Sequence, residues 1–402
     1  MRNFDPSTNI HDYLVFGEFG DVNPSITDSS TFTFLSPKTM AESFQHEMEG
    51  CFLYSRHWNP INKFLSNALA RLEDAEAAQV TSSGMAAISS TALQICSAGD
   101  EIVSERTIYG GTYAFFKNFL PRLGITVKFV DMQKPEMVEL AVTERTKMIY
   151  AESVSNPLLE ITDIPAISKI AKAHNIKLVV DNTFSPMVIS PLHLGADIVI
   201  HSMTKYINGS SDCVAGCICS TKEFIDSLTD VNSGATMLLG PVLDSLRAAS
   251  LLKNIHTLHI RMKKHGENAM YLAEKFEKLG LKVFYPGLKS SKHFRLIEDI
   301  RNEGFGYSGM IAIDVGTYER AASLLEMMQQ EKVGYLAVSL GYFKTLFSSP
   351  GHSTSSEIPE DEQKEMGLSE GLVRFSIGLD GDIKLAYERI TKCMKEIGII
   401  KA

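Results

Sequence analysis

The chain has 402 residues, of which 44% are hydrophobic, and a formal net charge of −9 at pH 7. A chain of this length can bury a large core and predicts two domains. The negative charge argues against binding to nucleic acid or to an anionic membrane surface, because those partners require clustered positive charge.

Neither the amino terminus nor any later stretch of the sequence has the apolar run of a signal peptide or a membrane span. The six cysteines are few and scattered, which is typical of proteins from a reducing compartment. We therefore expect a cytoplasmic protein with a small-molecule site.

Residues 1–57 alternate short apolar pieces with turn formers and show no sustained helical or strand period. Such a segment needs a neighbour to order it. It ends in Tyr54-Ser-Arg56, where the guanidinium could bind a phosphate through two parallel hydrogen bonds. On spacing alone, an exposed arginine of the arm is an equally good interpretation.

The next elements predict a phosphate site. A helix over 62–72 with one apolar stripe precedes a short strand over 78–81, and the sequence Ser82-Ser-Gly-Met-Ala-Ala-Ile88 then opens a second helix. A strand that runs through Ser-Gly into a helix presents free backbone N–H groups and the positive end of the helix dipole. Many ordinary helices begin in the same way, so this motif alone is weak.

Strands and helices then alternate, which predicts a mostly parallel sheet covered on both faces. The predicted strands are 101–104, 126–130, 147–152, 176–181 and 198–202, with predicted helices at 113–120 and 164–173.

Two of these strands end in groups that could react. Asp181 ends one strand, and the next strand runs into Ser-x-Thr-Lys, which ends at Lys205. The interval from Asp181 to Lys205 matches one strand, connection and strand, so both side chains should project from one edge of the sheet. This pairing is what pyridoxal 5′-phosphate (PLP) requires, because the amine bonds the cofactor and the carboxylate pairs with the pyridinium nitrogen. The hydroxyls of Ser202 and Thr204 could bind the phosphate.

Two loops between strands present polar side chains. Tyr109 precedes Gly110-Gly-Thr112, a flexible turn, and its motif alone favours a surface tyrosine. Asn156 lies in a loop that Pro157 keeps extended, and its amide can donate to a carboxylate or phenolate oxygen.

The pattern changes after about Gly240, where a helical stretch over 242–276 leads to helices and alternating strands. This predicts a smaller α+β domain, and we place the arm, the cofactor domain and the carboxyl-terminal domain at 1–57, 58–250 and 251–402. Arg374 lies within an apolar strand, where burying its charge is costly unless an anion meets it. That anion could be the α-carboxylate of an amino acid or a structural partner.

The sequence predicts no metal site. Cys213, Cys217 and Cys219 lie in an apolar stretch rather than in the paired knuckles of a metal centre, and no acidic residue accompanies His256 and His259. We expect the cysteines to be small core residues.

The sequences Asp181-Asn-Thr-Phe184 and His201-Ser-Met-Thr-Lys-Tyr206 resemble the Cys/Met-metabolism group of PLP enzymes. This group includes cystathionine synthases and lyases, methionine γ-lyases and O-acylhomoserine sulfhydrylases, and the resemblance extends over about 17–378. It implies an α/β architecture, the fold-type I PLP-dependent transferase fold. It also implies a homotetramer built from active-site dimers and a sulfur-containing amino acid as substrate.

The resemblance further implies roles for individual residues. Lys205 and Tyr109 would move protons, Tyr109 would stack on the cofactor ring, and Asp181 would hold the ring nitrogen. The residues implied for the phosphate are Gly84, Met85, Ser202 and Thr204, with Tyr54 and Arg56 of the neighbouring subunit. Those implied for the substrate carboxylate are Asn156, which could instead contact the ring oxygen, and Ser339 and Arg374.

The choice of substrate depends on the segment after Ser339. Cystathionine-handling members typically read Ser-Leu-Gly-Gly with an acidic residue shortly after, whereas this chain has Tyr342 and Lys344 and then Ser-Thr-Ser-Ser-Glu at 353–357. This segment resembles that of plant-type methionine γ-lyases. Tyr342 would narrow the pocket against the long side chain of cystathionine, and Lys344 would replace an acid that could pair with its distal ammonium. Bacterial methionine γ-lyases usually carry cysteine where Gly111 stands.

Methionine γ-elimination is therefore the predicted activity. Cystathionine γ-lyase, cystathionine γ-synthase and O-acetylhomoserine sulfhydrylase activities are alternatives within the family. A non-catalytic scaffold with the same fold is the alternative outside enzyme chemistry.

Overall fold

The computed structural model describes residues 4–44, 48, 50–353 and 358–401. Its strands are β1 (Ala77–Thr81), β2 (Glu101–Glu105), β3 (Thr126–Val130), β4 (Thr146–Glu152), β5 (Lys177–Asp181), β6 (Ile198–Ser202), β7 (Gly216–Ser220), β8 (Lys282–Phe284), β9 (Met310–Asp314), β10 (Gly334–Leu336), β11 (Thr345–Ser348) and β12 (Leu372–Ser376). Its α-helices are α1 (Pro6–His11), α2 (Pro37–Ser43), α3 (Pro60–Glu73), α4 (Gly84–Ile95), α5 (Gly110–Ala114), α6 (Pro135–Ala141), α7 (Ile164–Ala173), α8 (Lys222–Thr229), α9 (Ala235–Leu239), α10 (Ser245–Ile255), α11 (Leu258–Lys278), α12 (Phe294–Ile300), α13 (Tyr318–Gln330), α14 (Glu360–Glu365) and α15 (Ile383–Glu396).

The larger sheet has the strand order β1-β7-β6-β5-β4-β2-β3. Strands β3, β2, β4, β5 and β6 pair in parallel, whereas β7 is antiparallel to both β6 and β1. The prediction of a mostly parallel sheet is confirmed. Because β4, β5 and β6 are parallel neighbours, their carboxyl ends meet at one edge.

Alternating side chains bury both faces of this sheet. On one face, Val180 and Val199 belong to the same core as Leu65 and Leu69 of α3. On the other face, Ile200 packs in a second core with Ile88 of α4. Successive strand residues point to opposite faces, which explains why near-continuous apolar runs form β5 and β6.

The smaller sheet has the order β10-β11-β12-β9-β8 and combines one parallel pair with antiparallel pairs. Its core includes Phe276 of α11, Leu324 of α13 and Met394 of α15. This is the smaller α+β unit that the sequence predicts. The boundaries proposed at residues 57 and 250 stay predictions.

The helical stretch predicted over 242–276 is two helices, α10 and α11, separated by a turn at His256 and Thr257. The Arg261 guanidinium contacts this turn and donates to the Asn254 and Ile207 carbonyl oxygens at 2.9 Å each. The apolar period continues across the turn, so the sequence did not show the break.

The amino-terminal arm contains the short helices α1 and α2, which are capped by the side chains of Asp5 and Ser36. Between these helices, large apolar side chains are exposed, including Leu14, Phe16, Phe19, Val22 and Leu35. The arm therefore forms little core of its own.

Within the described part of the chain, no helix combines the length and apolarity needed to cross a membrane. Cys213, Cys217 and Cys219 are buried, the last two in β7. Of the serine-rich segment 353–357 used in the substrate prediction, residues 354–357 lie outside the described residues.

Candidate active site

A cavity of about 280 Å³ lies at the carboxyl ends of β4, β5 and β6, where α4 begins. In open α/β sheets this edge is the usual place for a ligand. Its walls are formed by Ser83, Gly84, Met85, Ile88, Tyr109, Glu152, Val154, Asn156, Asp181, Thr183, Phe184, Ser202, Thr204, Lys205, Val214, Val338, Leu340 and Arg374.

Lys205 lies three residues after the end of β6, and its amine lines the cavity. The amine donates a hydrogen bond to the Ser339 hydroxyl at 3.1 Å. Burial and, to a smaller extent, the charge of Arg374 lower the pKa of Lys205 to about 8. The neutral form of this amine, which bonds an aldehyde or accepts a proton, is therefore far more populated near physiological pH than that of an ordinary lysine, although the protonated form still predominates.

Asp181 is the last residue of β5 and is held by three hydrogen bonds. Its Oδ1 accepts from the Thr183 backbone N–H at 2.9 Å and from the Thr183 hydroxyl at 2.5 Å, and its Oδ2 accepts from the Tyr150 hydroxyl at 3.2 Å. Burial raises the pKa of Asp181, whereas the Thr183 hydrogen bonds lower it. The carboxylate is thus fixed in orientation at the cavity floor.

The first turn of α4 closes another end of the cavity. The Ser83 side chain caps this helix by accepting from the Ala86 N–H at 3.0 Å. A Cβ at Gly84 would lie 2.7 Å from the Ser202 Cβ, so only glycine permits this approach between helix and strand. Backbone N–H groups, the helix dipole and the Ser202 hydroxyl therefore converge on one cup that suits a phosphate.

Thr204 lines the same cup, but its hydroxyl is already engaged. It donates to the Ala215 carbonyl at 3.2 Å and accepts from the Ala215 N–H at 3.0 Å. Since a hydroxyl has one proton, donation to a phosphate would require the bond to the Ala215 carbonyl to break.

Arg374 lies within β12 and is almost fully buried. Its guanidinium donates to the Asn156 amide oxygen at 2.8 Å, which joins the smaller sheet to the loop after β4. Burial lowers the pKa of Arg374 to about 10, although the nearby Tyr206 and Glu152 raise it. A buried guanidinium beside a neutral amide leaves a charge for a ligand carboxylate to meet.

Glu152 is a cavity residue that the sequence reasoning missed. It ends β4 and is buried, and its two carboxylate oxygens accept from the backbone N–H groups of Tyr109 and Asn156 at 2.8 Å each. Burial and the neighbouring Asp181 raise its pKa well above the ordinary value. The available signal was its position as an acidic last residue of a buried parallel strand, which it shares with Asp181.

Tyr109 stands at the start of α5 and is 42% exposed at the cavity mouth. Its ring lies over Gly111, where an added Cβ would be 2.5 Å from the ring Cε1 atom. Glycine at 111 therefore allows a ring position that any larger residue would prevent.

Several predicted residues do not line this cavity in the part of the chain that the structure describes. Tyr54 and Arg56 are both exposed and interact with each other, with the guanidinium 5.8 Å from the ring centroid. Tyr342 packs against Phe343 with ring centroids 4.5 Å apart, and neither it nor Lys344 is on the cavity wall. Val338 and Leu340 from that segment line the cavity instead.

These groups fit PLP by their chemistry. The Lys205 amine, whose pKa is lowered, could bond the aldehyde of PLP. The oriented Asp181 carboxylate could pair with the pyridinium nitrogen, and the cup at the start of α4 could hold the phosphate.

Comparison with known proteins agrees with this assignment. The sequence profile described as Cys/Met metabolism PLP-dependent enzyme matches residues 10–385. The chain belongs to this family. The cofactor of this enzyme is PLP.

A methionine γ-lyase from Arabidopsis thaliana is 43% identical over 383 residues, covering 94% of this chain and 87% of the relative. Among solved structures, a Campylobacter jejuni protein provisionally named O-acetylhomoserine (thiol)-lyase superposes with a TM-score of 0.91 at 26% identity, covering 98% of this chain and 100% of the other. That structure contains N′-pyridoxyl-lysine-5′-monophosphate. A cystathionine γ-lyase from Lactobacillus plantarum, solved with L-serine, has a TM-score of 0.85 at 30% identity and the same coverage. The fold-type I architecture of the Cys/Met metabolism enzyme is thereby confirmed.

Proposed function

We propose that this enzyme is a carbon–sulfur lyase that converts L-methionine and water to methanethiol, ammonia and 2-oxobutanoate. The observation that carries this proposal is the arrangement around Lys205. Its amine shares one cavity with the buried Arg374 and with an apolar wall that includes Val214, Val338 and Leu340. The cavity therefore offers a charge for a carboxylate and an uncharged surface for a thioether.

Substrate binding would begin at Arg374. Its guanidinium would pair with the α-carboxylate, and Asn156, already bonded to it, would fix its direction. The Ser339 hydroxyl would help to hold the same carboxylate once Lys205 moves away from it. The substrate side chain would then extend along the apolar wall that includes Val338.

Lys205 would then remove the proton from Cα, because its neutral amine is available near pH 8. It would have to release this proton before it, neutral again, removes one from Cβ. PLP, when bound, supplies the electron sink for these steps, and Asp181 keeps its ring nitrogen protonated. The phenol of Tyr109, at the cavity mouth, would protonate the sulfur of the leaving thiol. The phosphate would be held by Gly84, Met85, Ser202 and, after a change of its hydroxyl bond, Thr204.

A preference for methionine over cystathionine follows from the wall chemistry. Cystathionine carries a distal ammonium and carboxylate, and the carboxylates lining the cavity, Glu152 and Asp181, lie at its buried floor. A methylthio group needs no such partner. The 43% identity to the Arabidopsis methionine γ-lyase supports the same substrate.

Replacement of the γ-substituent is a second candidate reaction. The overlay with the Campylobacter protein provisionally named O-acetylhomoserine (thiol)-lyase favours it, because that fold covers 98% of this chain. Elimination remains our first proposal, since the relative with the higher identity is named for elimination.

We further propose a homotetramer of active-site dimers in the cytoplasm. The exposed apolar side chains of the arm support assembly, as does the position of Tyr54 and Arg56 outside the cavity of their own chain. In the dimer, these two residues would reach the phosphate of the neighbouring subunit. All six cysteines are unpaired, which supports a reducing compartment.

The deciding assay measures thiol, ammonia and 2-oxo acid released from methionine, cystathionine, cysteine and O-acetylhomoserine by the purified holoenzyme. We expect methionine to exceed cystathionine in kcat/KM by roughly tenfold to a few hundredfold. Faster cleavage of cystathionine would refute the proposal and favour a cystathionine γ-lyase.

Two variants locate the origin of this preference. Val338→Glu places a carboxylate on the wall and should shift the ratio toward cystathionine. Tyr342→Gly combined with Lys344→Glu tests the gate predicted from the sequence, and it should leave the ratio unchanged if these side chains only pack outside the cavity.

A further inference from the structure

Behind the cavity, on the opposite face of the larger sheet, lies a second row of buried polar residues. Glu152 and Asp181 end β4 and β5 on the cavity side, and the residues that follow them, Ser153 and Asn182, are fully buried. In β6, His201 precedes the cavity residue Ser202 and belongs to this back row. The alternation of side chains along a strand places each back residue one step from a cavity residue.

His201 forms an ion pair with Glu73, the last residue of α3. The His201 Nε2 and Glu73 Oε1 atoms are 2.6 Å apart, and the side chains are 1% and 0% exposed. The same Glu73 oxygen accepts from the Asn182 amide nitrogen at 3.1 Å. One carboxylate thus holds both β6 and the residue next to Asp181.

The network continues through Asn182. Its amide oxygen accepts from the hydroxyls of Ser153 and Ser185 at 2.8 Å each, and its backbone N–H donates to the Ile200 carbonyl at 2.8 Å. Every bond fixes the chain immediately after Asp181. The position of the Asp181 carboxylate therefore depends on contacts made on the back of the sheet.

The charge of His201 also affects Asp181, through the pKa values of the two groups. Burial lowers its pKa, but the hydrogen bond and charge of Glu73 outweigh burial and raise the pKa to about 9, with further contributions from Cys217 and Asp181. Cys219, whose thiol is hydrogen-bonded to that of Cys217, is a further titratable group on this face. In return, the His201 charge lowers the pKa of Asp181 against the effect of burial.

Stability alone does not account for this pair. A buried ion pair gains little over an apolar pair of the same size, because both charges lose their water. Here the His201 Nδ1 and Glu73 Oε2 atoms are buried and have no hydrogen-bond partner within the described residues. Such an arrangement costs stability, which favours a role for the charge other than holding the fold together.

We propose that His201, held cationic by Glu73, is a positioning residue that keeps the Asp181 carboxylate ionised beside the buried Glu152. This inference rests on the proposed role of Asp181 at the PLP ring nitrogen. Asp181 must carry a negative charge to hold that nitrogen protonated, although burial and Glu152 both oppose the charge. The imidazolium behind the sheet supplies the compensating positive charge.

The test compares Glu73→Gln with Glu101→Gln in the holoenzyme. Glu101 is also a buried glutamate of an ion pair in this sheet, 2.8 Å from the Lys128 amine, but it begins β2 at the opposite edge. With [¹⁵N]PLP bound, we expect the ring-nitrogen NMR signal to shift toward the deprotonated form in Glu73→Gln and to stay at the wild-type position in Glu101→Gln. kcat for methionine should fall about tenfold in Glu73→Gln, the effect of one pKa unit, with KM little changed.

A direct titration of His201 gives a readout without cofactor. In the apoprotein, the His201 ring signals, identified by their loss in His201→Asn, should titrate near pH 9 in the wild type and below the ordinary value in Glu73→Gln. Asp181→Asn should lower the His201 pKa as well, since coupling between two sites is reciprocal. This last comparison applies even if Glu73→Gln does not fold.

The outcomes separate this inference from the proposed function. If Asp181→Asn leaves the ring-nitrogen signal in place, the proposed role of Asp181 fails and this inference fails with it. If Asp181→Asn moves the signal and Glu73→Gln does not, only the role of the His201–Glu73 pair is refuted. A neutral His201 in the wild type at pH 7 would also refute it.

Discussion

At the carboxyl edge of the larger sheet, charged side chains are buried, whereas in the amino-terminal arm large apolar side chains are exposed. Asp181, Glu152 and Arg374 are each less than 10% exposed and have hydrogen-bond partners from other elements. Phe19 and Val22 in the arm are 84% and 90% exposed. The first region has its partners within one chain.

The polar groups of the cavity find their partners within one chain, whereas under our proposal the apolar side chains of the arm find theirs in a neighbouring subunit. Polar groups are buried where strands β4, β5 and β6 and helix α4 supply partners. Exposed apolar side chains in a continuous segment indicate an interaction surface, which under our proposal another subunit covers. The arm and the cavity are therefore complementary parts of one site, contributed by different subunits under our proposal.

The largest expected effect on activity comes from a change in the cavity, at Lys205. Lys205→Ala should lower turnover by at least about a thousandfold, because it removes both the covalent attachment and the proton carrier. The visible absorbance of lysine-bound PLP should disappear with it. A yellow and fully active variant would show that the reactive amine lies elsewhere.

The next prediction tests the arm. Arg56→Ala should weaken PLP binding roughly tenfold to a hundredfold, the usual cost of losing a charge-assisted hydrogen bond. At a PLP concentration too low to load Arg56→Ala alone, mixing it in equal amount with Lys205→Ala and exchanging subunits should restore about one quarter of native activity, since half the dimers are hybrids and each has one intact site.

The matched control mixes Lys205→Ala with Asp181→Asn. Both changes lie in the cavity of one chain, so neither site of the hybrid is intact and no activity should return. No recovery with Arg56→Ala after proven exchange would place Arg56 in the site of its own chain. Recovery in the control would instead show that regained activity does not report a site shared between subunits.

A pH dependence tests how completely the cavity shields its lysine. The pKa of Lys205 is lowered to about 8, so the neutral amine that bonds PLP becomes available as pH rises through 8. The rate of PLP uptake by the apoprotein, followed by absorbance, should therefore rise through pH 8 and level off about one pH unit above it. A rate still rising steeply toward pH 10 would indicate an exposed lysine with an ordinary pKa.

The lowered pKa of Lys205 also determines how the stability of the apoprotein changes with pH. A lysine whose folded pKa is depressed destabilises the fold fully below that pKa, and the cost disappears as pH rises toward the unfolded value. The apoprotein should thus gain stability from about pH 8 to about pH 10.5, and Lys205→Met should abolish this gain.

The smallest expected effect concerns Gly111. Alanine usually stabilises a helix by about 1 kcal/mol relative to glycine. Gly111→Ala should not do so here, because its Cβ would lie 2.5 Å from the Tyr109 ring. In the Tyr109→Ala background the clash is absent, and the same change should raise the unfolding temperature. Equal effects in both backgrounds would show that the ring does not rest on Gly111.

The sequence was most informative where a local pattern coincides with the structure. Apolar runs predicted Thr126–Val130 and Ile198–Ser202 with the observed bounds, and the strand-end positions of Asp181 and Lys205 placed both in one cavity. The Ser-Gly helix start in the sequence also marked Gly84, where helix and strand approach closely.

What the sequence did not reveal depends on partners distant along the chain. His201 looks like an ordinary strand residue until Glu73, 128 residues away, is placed behind it. The break before α11 depends on the contacts of Arg261 with Ile207, and the Tyr342 gate depends on which side chains of its loop turn inward. These are tertiary relations, which no period in a sequence encodes.

The position of β7 has a consequence for how the protein is made. β1, the first strand of the larger sheet, lies at its edge and pairs with β7, the last strand of that sheet along the chain. Closing this pair joins Ala77 to Ser220 and so requires a long loop, which is slow to form. The cup at the start of α4 needs the same closure, because Gly84 rests on Ser202 and a Cβ at Gly216 would lie 2.2 Å from the Ser83 carbonyl oxygen. We therefore expect that a nascent chain on the ribosome cannot hold the phosphate until β7 has emerged. Binding of the cofactor would then indicate that the larger sheet is completely formed.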